Sequence, residues 1–165
     1  MTPSDRLRFG PAAAAATILF FYALDQWTKW LVIRALPLDG VRIVIPGFFA
    51  LVHWENTGAA FSSFTGQNAI FIALSIVTLL VLAAFAFRGA YRRALTRFAV
   101  CLLAAGVMGN VTDRIRHHAV VDLLLFDLHV PFANPWPAFN VADSCICIAA
   151  LLLVAGAWIA ERKEP

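Results

Sequence analysis

Three carboxylates, Asp113, Asp122 and Asp143, fall at the end of one very apolar segment and the start of another. Carboxylates in or beside membrane segments are costly, and by default they mark a functional site. Two of them close together in a low-dielectric setting cannot both ionise cheaply, so one keeps its proton and the other is a base. Such a pair can deprotonate a water as it attacks an amide carbonyl. It can then protonate the carbonyl oxygen and the leaving nitrogen. The titration belongs to the pair, and the sequence fixes neither member as the acid.

Each of these residues also has a purely structural reading. Asp122 sits between Val120-Val121 and Leu123-Leu124-Leu125. A carboxylate inside an apolar run is the hardest to explain structurally, so it is the first candidate. Asn140 and Asp143 are spaced like a helix N-cap and its third-position acid, so Asp143 reads equally as a stabiliser of a helix start. Asp113 beside Arg114 reads first as an ion pair. Asp25 and Lys29, at i and i+4, read equally as a local ion pair or as part of a binding site. Asp127 reads as an exposed loop acid.

Other chemistries find little support. Ser62, Ser63 and Ser144 with His53, His117, His118 or His129 can be drawn as a triad only arbitrarily, since no G-x-S-x-G occurs. There is no H-E-x-x-H and no phosphate-binding glycine loop. Cys101, Cys145 and Cys147 all lie in apolar runs and are expected to be small buried hydrophobes. No metal or organic cofactor is expected.

The elements that must position these residues are membrane segments. Of 165 residues, 61% are hydrophobic and 14% charged, with a mean hydropathy of +0.78. A soluble domain carries about a quarter charged residues. The net charge of +3 does not point to nucleic acid, because the basic residues flank apolar segments, as membrane topology requires. Four spans are expected, at about 12–33, 68–87, 96–115 and 139–160, within one integral-membrane domain covering 1–165. The first follows Arg6 and Arg8 but lacks a small-residue cleavage site, so it reads as a retained span. Between the first two spans, 39–66 changes texture. Val41 to Ile45 is short and β-branched, Pro46-Gly47 is a turn signal, and a mixed aromatic run follows. A small external hairpin or sheet is expected, resting on the bilayer. Gly106, Asn110 and Asp113 share one face of the third span. Residues 116–138 are expected to form an external loop that touches lipid.

Four spans put both termini on one side, together with Arg6, Arg8, Arg88, Arg92, Arg93, Arg97, Arg162 and Lys163, eight of the thirteen basic residues. The positive-inside rule makes that side cytoplasmic. Asp25, Lys29, Asn56, Asn110, Asp113, Asn140 and Asp143 then meet at the outer face. The rival class is a small four-span transporter or proton-conducting protein, which would need polar residues along its whole length. The second and fourth spans have none near the cytoplasmic end beyond their basic flanks.

Five blocks carry a family resemblance: Asp25-Gln26-Trp27-Thr28-Lys29, Asn56-Thr57-Gly58-Ala59-Ala60-Phe61, Gly109-Asn110-Val111-Thr112-Asp113-Arg114, Val120-Val121-Asp122 and Phe139-Asn140-Val141-Ala142-Asp143. In this order, on a four-span chain of this length, they resemble the signature blocks of lipoprotein signal peptidases (signal peptidase II). The resemblance implies a bacterial inner-membrane aspartyl peptidase. Such enzymes remove the signal peptide from a diacylglyceryl-modified prolipoprotein, cutting just before the lipidated cysteine. It implies Asp122 and Asp143 as the catalytic pair. Asp25, Lys29, Asn56, Gly58, Asn110, Asp113, Arg114 and Asn140 would support the site or bind substrate. The external strands would cradle the substrate, and 116–138 would be a mobile flap. Leu123 departs from the family pattern, where an aromatic is more usual. The expected partners are the prolipoprotein and membrane lipid, and a monomer is expected.

Overall fold

A computed structural model of the chain describes residues 9–58, 66–91, 93–131 and 134–161. The expected basic flanks Arg6, Arg8, Arg92, Arg162 and Lys163, and Ala59 to Phe61 of the second block, lie outside them.

Helix α1, Pro11–Ala35, starts on a proline, whose fixed φ and missing N–H suit a first helical turn. It ends just before Pro37, which cannot continue it. Strands β1, Val41–Ile45, and β2, Phe49–Asn56, pair antiparallel across a turn at Gly47, whose φ of 69° is left-handed. Helices α2, Asn68–Phe87, and α3, Ala94–His117, follow. His118 ends α3 in the left-handed conformation and turns the chain into strand β3, Val120–Phe126. Helix α4, Val141–Glu161, closes the fold.

The sheet order is β1-β2-β3, antiparallel throughout. This corrects the expectation of an external loop over 116–138, since seven of those residues form a strand on β2. The N–H groups of Leu123 and Leu124 also donate to the Phe139 carbonyl at 3.1 and 2.9 Å, folding the end of that segment back onto β3. The strand was hidden because its partner lies far away in sequence, and Leu123 to Leu125 break the period-2 pattern that would announce it.

Helix α3 is central, packed on the other three helices and on β3. Small residues allow this. A side chain on Gly106 would run into the Ala142 carbonyl and Ile146, and one on Gly109 into the Asp25 carboxylate. Close approach at small residues is how membrane helices gain packing and polar contacts without a hydrophobic drive between them. Leu102, Cys145 and Ala149 fill the α3–α4 seam, while Val32, Val121 and Leu123 fasten the sheet to the end of α1. Cys147 departs from expectation: it is exposed, whereas Cys101 and Cys145 are buried.

The described residues contain three helices long and apolar enough to cross a membrane, α2, α3 and Val141–Ile159 of α4. Helix α1 has the length, but Asp25, Gln26, Lys29 and Arg34 dilute its apolar character. α2 buries no residue at all, as a helix facing lipid can.

Candidate active site

Six polar side chains are buried where the C-terminal half of α1, the end of α3, the start of α4 and strand β3 meet: Asp25, Lys29, Asn110, Asp113, Asp122 and Asn140. Burying charge is tolerable only with partners, and here they form one connected network.

Its cationic centre is Lys29. The ammonium lies 2.9 Å from Asp25 Oδ2, 2.7 Å from Asp113 Oδ2 and 3.2 Å from Asn110 Oδ1, which uses all three of its donors. The i,i+4 pairing of Asp25 and Lys29 read from the sequence is therefore present, but it is shared with a second acid from α3. This corrects the partner expected for Asp113. Successive helical residues point about 100° apart, so Asp113 turns inward to Lys29. Arg114 turns toward α2, donating from Nη2 to the Gly58 carbonyl at 2.9 Å and lying 4.9 Å from the centre of the Phe71 ring.

The same acids bind the fold together. Asp25 accepts from the Ala142 N–H at 2.8 Å, at the start of α4. Asp113 accepts from the Val121 N–H at 3.2 Å, next to Asp122. The Lys29–Asp25–Asp113 centre thus holds both α4 and β3 by their backbones.

Two carboxylates face each other across Asn140. Its Nδ2 donates to Asp122 Oδ1 at 3.0 Å and to the Val121 carbonyl at 3.2 Å. Its backbone N–H donates to Asp143 Oδ2 at 3.2 Å, and the Asp143 N–H donates back to Asn140 Oδ1 at 2.8 Å. This reciprocal pair is the helix capping arrangement that the spacing suggested. Capping uses only one carboxylate oxygen of Asp143, however. The other, Oδ1, accepts from Asn110 Nδ2 at 2.7 Å. The Asn110 amide therefore links Lys29 to Asp143, its oxygen accepting from one and its nitrogen donating to the other.

Asp122 stands on β3 opposite Trp54 of β2. Asn56, two residues along β2 on the same face, donates to its Oδ2 at 3.4 Å. The Asn56 Oδ1 accepts from the Gly58 N–H at 2.9 Å, which fixes the amide's orientation. Burial, and then the neighbouring Asp143 carboxylate, push the Asp122 carboxyl up from 3.8 to about 7, against the opposing pull of the Asn56 and Asn140 hydrogen bonds and of Lys29. Near neutral pH such a group can both hold and release a proton, as general acid–base work needs.

All ten residues singled out from the sequence lie in or against this network. Two contributors escaped notice. Gln26 Nε2 reaches Asp25 Oδ2, the Gly109 carbonyl and Asp113 Oδ1 at 3.2, 3.3 and 3.0 Å. Asn68, at the start of α2, donates to the Arg114 carbonyl at 3.0 Å. Gln26 lies within the first signature block, and a glutamine between the i and i+4 members of the Asp25–Lys29 pair was the available signal. Among the described residues no cluster of His, Cys, Asp and Glu has the form of a metal site.

Comparison with known proteins agrees over most of the length. The family model described as signal peptidase (SPase) II matches residues 17–159. A lipoprotein signal peptidase of Syntrophotalea carbinolica is 40% identical over 139 residues, covering 82% of this chain and 84% of its relative. One of Neisseria gonorrhoeae is 37% identical over 164 residues, covering 98% and 94%. A bacterial membrane enzyme solved by the in meso method at 2.3 Å superposes with a TM-score of 0.86 at 26% identity, covering 94% of this chain and 93% of that one.

Proposed function

The chain belongs to the signal peptidase II family, the bacterial inner-membrane peptidases that remove signal peptides from prolipoproteins, and from that premise we propose that Asp122 and Asp143 carry out the hydrolysis as a pair. The observation that carries this assignment is the placement of Asn140, which holds one carboxylate by its side chain and the other by its backbone. Two acids tethered to one residue, on a strand and on a helix start, keep their separation while substrate binds.

With a water between them, one ionised carboxylate takes a proton from the water as its oxygen attacks the scissile carbonyl carbon. The protonated partner donates to the carbonyl oxygen, giving a neutral tetrahedral diol. Proton transfer to the amide nitrogen then allows the C–N bond to break, and the pair returns to sharing one proton. Asp122 has the means to hold that proton at rest, with its carboxyl near 7. Asn56, Asn110 and Asn140 orient the pair. Lys29, Asp25 and Asp113 fix the elements beneath it. Arg114, bonded to the Gly58 carbonyl, and Gly58 itself are assigned to substrate binding.

The substrate we propose is a diacylglyceryl-modified prolipoprotein, cut just before the lipidated cysteine. α1 serves as a fourth span, with both termini cytoplasmic and the carboxylates near the outer face, and the enzyme acts as a monomer. Exposed apolar residues of β1, Ile43 among them, support the reading of the sheet as a cradle on the lipid surface. A lipid-anchored substrate reaches such a site by lateral diffusion. The test is a gel-shift cleavage assay on that substrate in liposomes, with Asp122→Asn and Asp143→Asn. Loss of cleavage in both folded variants is expected. Normal cleavage by either would remove that aspartate from the pair.

A further inference from the structure

At the other end of the bundle from the carboxylates, a cavity of about 600 Å³ opens between α1 and α2 over the face of α3 that is turned away from α4. α1 and α2 pack on α3 but not extensively on each other, which leaves the groove between them. Its walls are apolar: Ala14 and Ile18 from α1, Leu79 and Ala83 from α2, Val100 and Ala104 from α3. Its volume falls in the range of about 300–1,000 Å³ typical of small-ligand sites.

The lip is basic. Arg97, half-buried, lines the cavity and spends two of its five N–H donors on carbonyls, Nε on Tyr91 at 2.6 Å and Nη1 on Phe9 at 2.9 Å. Those bonds hold the guanidinium at the groove without neutralising it. Among the described residues no carboxylate pairs with it, and the sequence carries no acidic residue between Glu55 and Asp113. Arg88 and Arg93 stand exposed on the short connection before α3, Arg93 donating to the Gly156 carbonyl of α4 at 3.3 Å. An apolar slot capped by an arginine with no carboxylate partner among the described residues is complementary to a molecule with a hydrocarbon tail and an anionic head.

We propose that this groove binds one anionic glycerophospholipid, an acyl chain lying against Ala14, Ala83 and Ala104 and the phosphate on Arg97. Basic residues beside a membrane segment attract anionic headgroups in this way. The site is separate from the carboxylate network and independent of the cleavage reaction.

Native mass spectrometry of the full chain in detergent tests it, with added dioleoyl phosphatidylglycerol or dioleoyl phosphatidylcholine. The wild type is expected to retain one phosphatidylglycerol, preferred over phosphatidylcholine by about fivefold or more, the weight of one basic residue against an anionic headgroup. Arg97→Gln loses the preference and Arg97→Lys keeps it. Ala83→Trp fills the groove and loses both lipids, with Ala14→Phe as the second filling variant should the first not fold. Equal retention of the two lipids by the wild type overturns the proposal. So does phosphatidylglycerol retained by a folded groove-filled variant, or a second copy of the chain in place of lipid.

Discussion

Asp122→Asn should make the protein more resistant to unfolding as the pH rises, even as it removes the reactive group. In the native state burial and Asp143 raise the Asp122 carboxyl to about 7, whereas in the unfolded chain it titrates near an ordinary 3.8. Between those values the native state binds more protons than the unfolded one, so stability falls with rising pH through that window and levels off above about 7. Each pH interval of one within it costs about 1.4 kcal/mol. From pH 5 to pH 8 the wild type therefore loses up to about 3 kcal/mol through this group, less whatever Asp143 absorbs by titrating with it. Asparagine has no such loss. It also turns an amide nitrogen on either Asn56 or Asn140, but that cost does not vary with pH and cancels when the two pH values are compared. Groups not coupled to Asp122 titrate alike in both proteins and cancel as well. The assay is thermal unfolding in detergent at pH 5 and pH 8. At about 2–4 °C per kcal/mol for a chain of this size, the gap between variant and wild type should widen by at least about 3 °C toward pH 8. A gap that stays constant or narrows would refute the claim that Asp122 is held protonated by burial and its neighbour.

Three further outcomes are expected. Lys29→Met leaves Asp25 and Asp113 buried without their cation and should cost about 3–5 kcal/mol; adding Asp25→Asn and Asp113→Asn should restore much of the melting temperature but not cleavage. Asn140→Ala removes the side-chain bonds to the Asp122 carboxylate, to the Val121 carbonyl and from the Asp143 N–H while its backbone N–H still reaches the Asp143 carboxylate, so cleavage should fall at least about a hundredfold with a loss of roughly 1–3 kcal/mol in thermal stability. Gly109→Ala puts a methyl group against the Asp25 carboxylate and within 3.0 Å of the Ala142 Cβ, and should lower stability by about 1–3 kcal/mol by forcing α1, α3 and α4 apart.

The sequence alone determined the long apolar helices, because a bilayer of fixed thickness demands runs of fixed length. It also determined which polar residues are costly and where they fall along those helices. The hairpin of β1 and β2 was legible for the same reason, its β-branched run and its turn being local signals. The carboxylates, amides and lysine of the site were all visible as polar residues in apolar surroundings. What only tertiary structure decided was who holds whom. Asp113 lies beside Arg114 in sequence but pairs with Lys29 from α1, because the helical turn sends neighbours in different directions. Asp122 reads as a loop residue until β2, some seventy positions earlier, supplies the edge that makes its segment a strand. Asp143 looked like a capping acid or a reactive one. The fold gives it the capping bond with one oxygen and Asn110 with the other, because α3 approaches α4 closely enough at Gly106 and Gly109 to bring that amide within reach. Spacing along the chain carries only contacts made within one element, whereas this site is built from contacts between five, α1, β2, α3, β3 and α4.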